Sequence, residues 1–441
     1  MAEAWLDELS EWLRIPSVSS DPAHGEDVRR AGEWLCGLVR RAGGDAELAD
    51  WNGNPLALGE IRASSDAENA PTLLVYGHFD VQPPGPADGW ETEPFEPIVR
   101  DGWLYARGVA DDKGQLYVLI KAAEALRAAG ELAVNVRVAC DGEEEVSGDS
   151  IVDWVSAGDR GADACLIFDA PMVNRSVPAF VVATRGNVYF HLRVRTGERD
   201  LHSGLYGGAA LNALHALFAA LSGLLPVDGR LPEPLRAGVQ APTDEELAEW
   251  AGLPPGAGEL AGQGARLADG RAGDDFYLRT WAEPSLDIHG IVGGEARLQK
   301  TIVPVVAEAN VSVRLVPGQS PEEVSAACER LIRSGAPAGA ELDLERWSVA
   351  DAAVFSPEAP AIELAREGFE RGFGAKPLLV RSGGTLPIAA ALAKRGIPAV
   401  ITGVALPESN IHAPNERLPV EYVSRGIDAA REIYRALAAL R

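Results

Sequence analysis

The chain has 441 residues, 46% of them hydrophobic and 24% charged, which is enough for two or three packed cores and too long for one small domain. Asp and Glu number 65 against 40 Lys and Arg, a formal charge of −25. That field repels phosphate backbones and anionic lipid headgroups, so neither nucleic acid nor a membrane is an expected partner.

The opening residues MAEAWLDELSEWLRIPSVSS place Trp5, Leu6, Leu9, Trp12 and Leu13 at helical spacing with acids between them. This reads as an amphipathic helix; a signal peptide would carry a basic segment ahead of its apolar run. No apolar run approaches the ~18 residues of a bilayer span. Cys36, Cys140, Cys165 and Cys328 lie far apart, without the CxxC spacing of a zinc knuckle, and are expected to be buried thiols of a reducing, cytoplasmic setting.

Next come a helix over 26–42, a strand Leu73–Tyr76, a helix over 114–129, a strand Val134–Ala139, and strands Leu166–Phe168 and Phe180–Ala183. Alternating helices and short apolar runs predict an α/β layer on a mainly parallel sheet. Beyond residue 185 the texture changes to a strand in VYFHLRV, a helix over 209–225, a polar stretch, a strand Ala309–Leu315, and a helix over 321–334 opened by Ser320-Pro321. That pattern fits a smaller α+β domain, with the glycine-rich stretch 251–273 expected to be a loop-rich insertion. The α/β texture returns with helices over 359–372 and 386–395, a strand Pro398–Thr402 and a helix over 420–440. The expected organisation is a discontinuous α/β domain, 1–184 and 354–441, interrupted by an α+β domain, 185–353.

Chemistry-bearing residues recur just after the predicted strands or in the loops beyond them: His78 and Asp80 in YGHFDVQP, Asp111 and Asp112 in GVADDKG, Glu143 to Glu145 in CDGEEEVSG, Asp169 in LIFDAP, and His412 in SNIHAPNE. Open α/β sheets bind ligands outside the carboxyl ends of their strands, so these groups are expected to converge. Two imidazoles with three or four carboxylates suit Zn²⁺, Mn²⁺ or Co²⁺; Ca²⁺ and Mg²⁺ seldom recruit imidazole. Taken singly each segment has a plainer use: the acids of GVADDKG and GEEEV also suit the first turn of a helix, and His78 suits a buried core.

In order along the chain, GHFDVQP, DGWLYARGVADDKG, the EEE run, LIFDAP, DLHSGLYGG and HAPNE resemble the M20 family of dinuclear metallopeptidases, nearest its dipeptidase, carnosinase-like branch. The resemblance implies a catalytic domain bearing two divalent cations, Zn or Mn with Co possible, and a lid domain that also dimerises the protein. It implies His78 and Asp169 at one metal, His412 and Glu145 at the other, and Asp111 bridging through a loop whose Asp111-Asp112 peptide is cis. Glu144 would be the catalytic base, in a register that three consecutive glutamates leave free to slip by one, and Asp80 the outer partner of His78. Ser147-Gly148 stands where relatives have Gly-Ser.

In the second domain the resemblance implies that His202 of DLHSGLYGG reaches a partner subunit's site and stabilises the oxyanion. Arg314 of VSVRLVPGQ, with Gly384 and Thr385 of the SGGTLP run, would bind the substrate's terminal carboxylate, and Thr301 would contribute from the other subunit. Unaided, His202 reads as a turn histidine, Arg314 as a strand arginine that snorkels or pairs with an acid, and the SGGTLP run as an anion-receiving or merely capped helix start. His24, His191, His215 and His289 fit no part of the pattern and are read as structural.

The expected function is metal-dependent hydrolysis of dipeptides or short peptides by a homodimer, through a water activated between two metals. An N-acyl amino acid amidohydrolase uses the same machinery and is the nearest alternative; a non-catalytic metal-binding scaffold is a more distant one. No GxxxxGK[ST] or GxSxG segment occurs, which disfavours nucleotide and serine-hydrolase chemistry.

Overall fold

The computed structural model describes residues 2–85, 89–146, 148–158 and 161–440; Ser147 lies outside them. It divides into two compact units, 1–182 with 355–380 and 387–441, and 183–354 with 381–386.

In the first unit the sheet runs in the order Asp45–Trp51, Asn54–Ile61, Asn135–Asp141, Thr72–Tyr76, Ala164–Phe168, Ala399–Thr402, Ala179–Thr184. The middle four strands are mutually parallel and the flanking pairs antiparallel. Those four are almost wholly buried and rich in Val, Ile and Leu, the composition of strands covered on both faces. The chain is thus α/β on a mixed sheet with a parallel centre, and the carboxyl ends of four adjacent strands share one edge.

The hairpin Asp45–Trp51 with Asn54–Ile61 was not among the expected elements, although its signal is present. Asn52-Gly53 forms the two-residue turn, with φ of 52° and 87°, the left-handed pair that such turns require. Helices Gly25–Arg41, Lys113–Ala128, Pro360–Phe373, Pro387–Lys394 and Val420–Leu437 lie within a few residues of the expected bounds. The first helix, Ala2–Leu13, buries Leu9, Trp12 and Leu13 completely. Trp12 stacks on Trp34 and donates its indole N–H to the Ala31 carbonyl at 3.0 Å.

Phe369 is fully buried with its ring centroid 5.7 Å from Phe180, 6.4 Å from Phe168 and 5.2 Å from Phe373. Truncating it removes a large apolar surface and leaves a cavity between helix and sheet. Phe369→Ala is expected to cost ~3–5 kcal/mol, read as an earlier urea transition, with the candidate metal-binding residues untouched.

The second unit carries a four-stranded antiparallel sheet in the order Ser285–Gly293, Val306–Leu315, Gly186–Arg195, Glu341–Ala350. Val188, Phe190, Leu192 and Val194 alternate with more polar neighbours, and their buried side packs with helices Ala213–Ser222 and Pro321–Gly335. Ser320 caps the latter by accepting the Glu323 N–H at 3.3 Å, as its Ser-Pro start predicts. The helix expected over 209–225 is shorter, because Asn212 caps it by accepting from Leu214 and His215.

The stretch 251–273, read as loop-rich, is mostly turns and coil around one short helix, Gly256–Gly262, with further helical segments on either side of it. Helices Asp244–Trp250 and Gly256–Gly262 and a π-helical turn Leu278–Ala282 are held by Trp250, Tyr277 and Trp281 packing edge to face or tilted. Ahead of that stretch a capping box, Thr243-x-x-Glu246, starts helix Asp244–Trp250.

Candidate functional site

Strand Thr72–Tyr76 ends two residues before His78, which is fully buried. Its Nε2 lies 3.0 Å from Asp111 Oδ1, and its Nδ1 lies 3.1 Å from the Asp80 carbonyl and 3.3 Å from Asp80 Oδ1. Gly77 is needed here because a Cβ would sit 2.4 Å from Asp112 Oδ2, the oxygen that accepts the His78 N–H at 3.3 Å. Asp112 stands at the start of helix Lys113–Ala128 but makes no side-chain cap bond; its carboxylate serves the histidine loop instead.

Asp111 departs from the expected origin. The strand before it, Trp103–Tyr105, belongs to a separate three-stranded sheet, so Asp111 approaches from a helix start and not from the edge of the main sheet. The Asp111-Asp112 peptide is cis. From the other side His412 Nε2 lies 2.9 Å from Asp111 Oδ2 and 3.1 Å from Glu145 Oε2. His412 adopts φ of 60°, a left-handed conformation that costs a non-glycine residue energy and concentrates at functional sites.

Two triads result, His78 with Asp111 and Asp169, and Asp111 with Glu145 and His412, each with its ligand-type atoms within 4.8 Å of one another. Asp111 is common to both. The three consecutive glutamates have separate fates. Glu145 enters a triad and also accepts from Gln82 Nε2 at 2.8 Å. Glu143 turns away to accept the Ser150 N–H at 2.8 Å at the start of helix Ser150–Ser156. Glu144 belongs to neither triad.

The electrostatics are those of a crowded anionic pocket. Burial pushes Glu144 up to about 7, His78 opposing and Glu145, Asp111 and Asp80 adding to the rise. Burial, reinforced by the negative charge of Asp111, drives Asp169 well above the usual carboxylate range. Asp111 goes the other way: burial works against its ionisation, yet hydrogen bonds from His412 and His78 hold it well below that range. His412 rises to about 10 through Asp111 and Glu145.

Glu145 Oε1 is buried without a hydrogen-bond partner, a costly state that a cation relieves. Oxygen and imidazole donors around an unsatisfied carboxylate oxygen fit divalent ions of the Zn, Mn or Co type.

Two supports were not singled out from sequence. Glu416 is fully buried and accepts from Ala110 N at 2.8 Å, Asp111 N at 3.1 Å, Gly108 N at 3.0 Å and Arg107 Nη1 at 2.7 Å. Gln82, in the GHFDVQP segment, holds Glu145. The available signals were a charged Arg107 inside an apolar segment and an acid four residues after His412.

Within the second unit, His202 and Thr301 are brought together by a short two-stranded ladder, Leu201–His202 with Ile302–Val303, and Ser203 N donates to the Thr301 carbonyl at 2.9 Å. His202 is exposed, and its Nδ1 accepts the Gly204 N–H at 3.0 Å. Arg314 Nη1 donates to Thr385 Oγ1 at 2.9 Å, and Arg185 N donates to the Gly384 carbonyl at 2.9 Å. His24, His191 and His289 bond Asp27, Asn310 and Ser312.

Among the described residues no helix is long and apolar enough to cross a membrane, and all four cysteines are free and buried.

A cysteinylglycine-S-conjugate dipeptidase of Corynebacterium striatum is 29% identical over 425 residues, covering 94% of this chain and 91% of that protein. The crystal structure of human carnosine dipeptidase 1 matches with a TM-score of 0.80 at 26% identity, over 100% of this chain and 97% of that one. An M20 family metallo-carboxypeptidase, Sso-CP2 from Sulfolobus solfataricus, matches with a TM-score of 0.88 at 26% identity, over 99% and 100%. The model of peptidase family M20/M25/M40 matches residues 74–436, and the chain belongs to that family.

Proposed function

We propose that this chain is a two-metal dipeptidase that cleaves dipeptides or short peptides with a free C-terminal carboxylate. The observation that carries the reading is the pair of triads sharing Asp111, with Glu144 beside them and outside both. His78 and Asp169 would hold one ion, His412 and Glu145 the other, and Asp111 both. When bound, the ions supply Lewis-acid polarisation of the scissile carbonyl and a water acidic enough to ionise near neutrality.

The chain's own residues do the remainder. Glu144, raised to about 7, takes a proton from the attacking water and delivers it to the leaving amine nitrogen, base then acid. Asp80 orients the His78 ring through Nδ1, which fixes its tautomer and strengthens it as a ligand. Arg314, Gly384 and Thr385 would receive the substrate carboxylate, and His202 and Thr301 would complete a neighbouring subunit's site in a homodimer. The catalytic part would be residues 1–184 with 354–441, and the lid 185–353. Relatives named as dipeptidases and a carboxypeptidase support the substrate class. Four buried free thiols support a cytoplasmic setting.

Purified protein is expected to contain two transition-metal ions per chain, to hydrolyse members of a dipeptide panel, to lose that activity to a chelator and to regain it with Zn²⁺ or Mn²⁺. Turnover of N-acetyl amino acids in preference to dipeptides would overturn the peptide reading in favour of a deacylase.

A further inference from the structure

The insertion formed by residues 244–283, which contains the glycine-rich stretch 251–273, is folded onto the Ser382–Thr385 loop through its two ends. Arg381, directly before that loop, is only 5% exposed. Its Nε and Nη2 donate to Glu246 Oε1 and Oε2 at 2.7 and 2.9 Å, a two-point fork between planar groups. The guanidinium also lies 5.6 Å from the centre of the Trp250 ring. Glu246 is doubly committed, since its Oε2 accepts the Thr243 N–H at 2.7 Å in the capping box of helix Asp244–Trp250.

A second brace comes from Arg185, also 5% exposed, whose Nη2 donates to the Arg279 carbonyl at 2.5 Å and to the Glu283 carbonyl, and whose Nη1 reaches Ser285 Oγ at 3.3 Å. The backbone of Arg185 in turn holds Gly384. Both ends of the insertion therefore grip the loop that carries Gly384 and Thr385. Arg381 Nη1 and Arg185 Nε are buried N–H donors without a partner.

We propose that the insertion is a positioning device for carboxylate recognition, with Glu246 as its key residue, holding Arg381 and hence the Ser382–Thr385 loop in the geometry that receives an anionic C-terminus. The inference rests on the reading of Arg314 and this loop as the carboxylate site. Glu246 touches no substrate and acts through Arg381. A residue of that kind governs ground-state and transition-state binding alike, so its loss raises KM more than it lowers kcat.

The test uses the metal-loaded full chain with two readouts, dipeptide kinetics and the ratio of inhibition constants for a product amino acid and its amide, which lacks the carboxylate. Glu246→Gln is expected to raise KM on the order of 10–100-fold with kcat within about 3-fold, and to shrink the acid-to-amide ratio by a similar factor. Arg381→Lys keeps the charge and loses the fork, and should fall between wild type and Glu246→Gln, which covers poor folding of the latter. Thr243→Ala removes the hydroxyl cap of the same helix while leaving the ion pair, and should leave the ratio unchanged.

The proposal is overturned if Glu246→Gln and Arg381→Lys leave the ratio unchanged, or if Thr243→Ala alters it equally, the mark of a merely structural effect. Arg314→Ala separates the two levels: if it collapses the ratio and the Glu246 and Arg381 variants do not, only the positioning role fails. If Arg314→Ala leaves the ratio intact, the carboxylate reading fails and takes the proposal with it.

Discussion

Glu144→Gln is expected to lower kcat by ~10²–10⁴-fold while leaving two metal ions bound. The prediction depends on Glu144 being close to the site yet outside both triads, so that an isosteric amide removes the proton acceptor and no proposed ligand. Glu145→Gln should behave differently, because Glu145 shares the triad of Asp111 and His412. There the loss of a charged ligand should lower metal occupancy, and activity should fall with it. Metal analysis of the two variants beside single-turnover rates separates base from ligand, and it decides the register of the three glutamates. A Glu144→Gln protein that loses metal, or a Glu145→Gln protein that keeps both ions and only slows, would reverse the assignment.

Residues at the edge of the parallel sheet were the most legible part of the candidate site. His78, the Glu143–Glu145 run and Asp169 follow short apolar strands whose order can be guessed from βα alternation, and adjacent parallel strands bring their carboxyl ends together whatever the loop lengths. Asp111 was legible by motif but not by route, since its loop enters from a small separate sheet. The edge hairpin was overlooked although Asn52-Gly53 announces it. Its strand Asp45–Trp51 is mostly half-exposed, so the apolar run that flagged the inner strands is missing. The glycine-rich stretch 251–273 was legible as loop, but the helical segments on either side of it were not: their order depends on aromatic packing and on an ion pair between residues 135 positions apart, neither of which a local window registers.

Glu416 marks the limit of sequence reading most clearly. Its place four residues after His412, at the end of HAPNE, gives no hint that it is fully buried and binds four donors, three of them backbone N–H groups on the segment that presents Asp111. Burial pushes its carboxyl up to about 7, with Arg107 opposing. It lies four residues beyond His412, so one side chain ties the loop of one proposed ligand to the loop of the residue shared by both triads. Arg107 reinforces the tie by donating to the Ala413 and Pro83 carbonyls, each at 3.3 Å.

Glu416→Ala should therefore act on stability and on the metal together. Removing one member of a buried pair leaves Arg107, 1% exposed, without its anionic partner, at a cost of ~3–5 kcal/mol. Freeing the Ala110 and Asp111 N–H groups loosens the bridging carboxylate, and losses of outer partners of this kind typically weaken metal binding by ~10–100-fold. Urea unfolding of the metal-free protein measures the first effect, and titration with Zn²⁺ or Mn²⁺ alone measures the second, neither needing turnover. A variant that is destabilised but binds both ions with unchanged affinity would confine Glu416 to the scaffold. Weakened binding in a chain that remains folded would place it in the machinery that sets Asp111 between the two histidines.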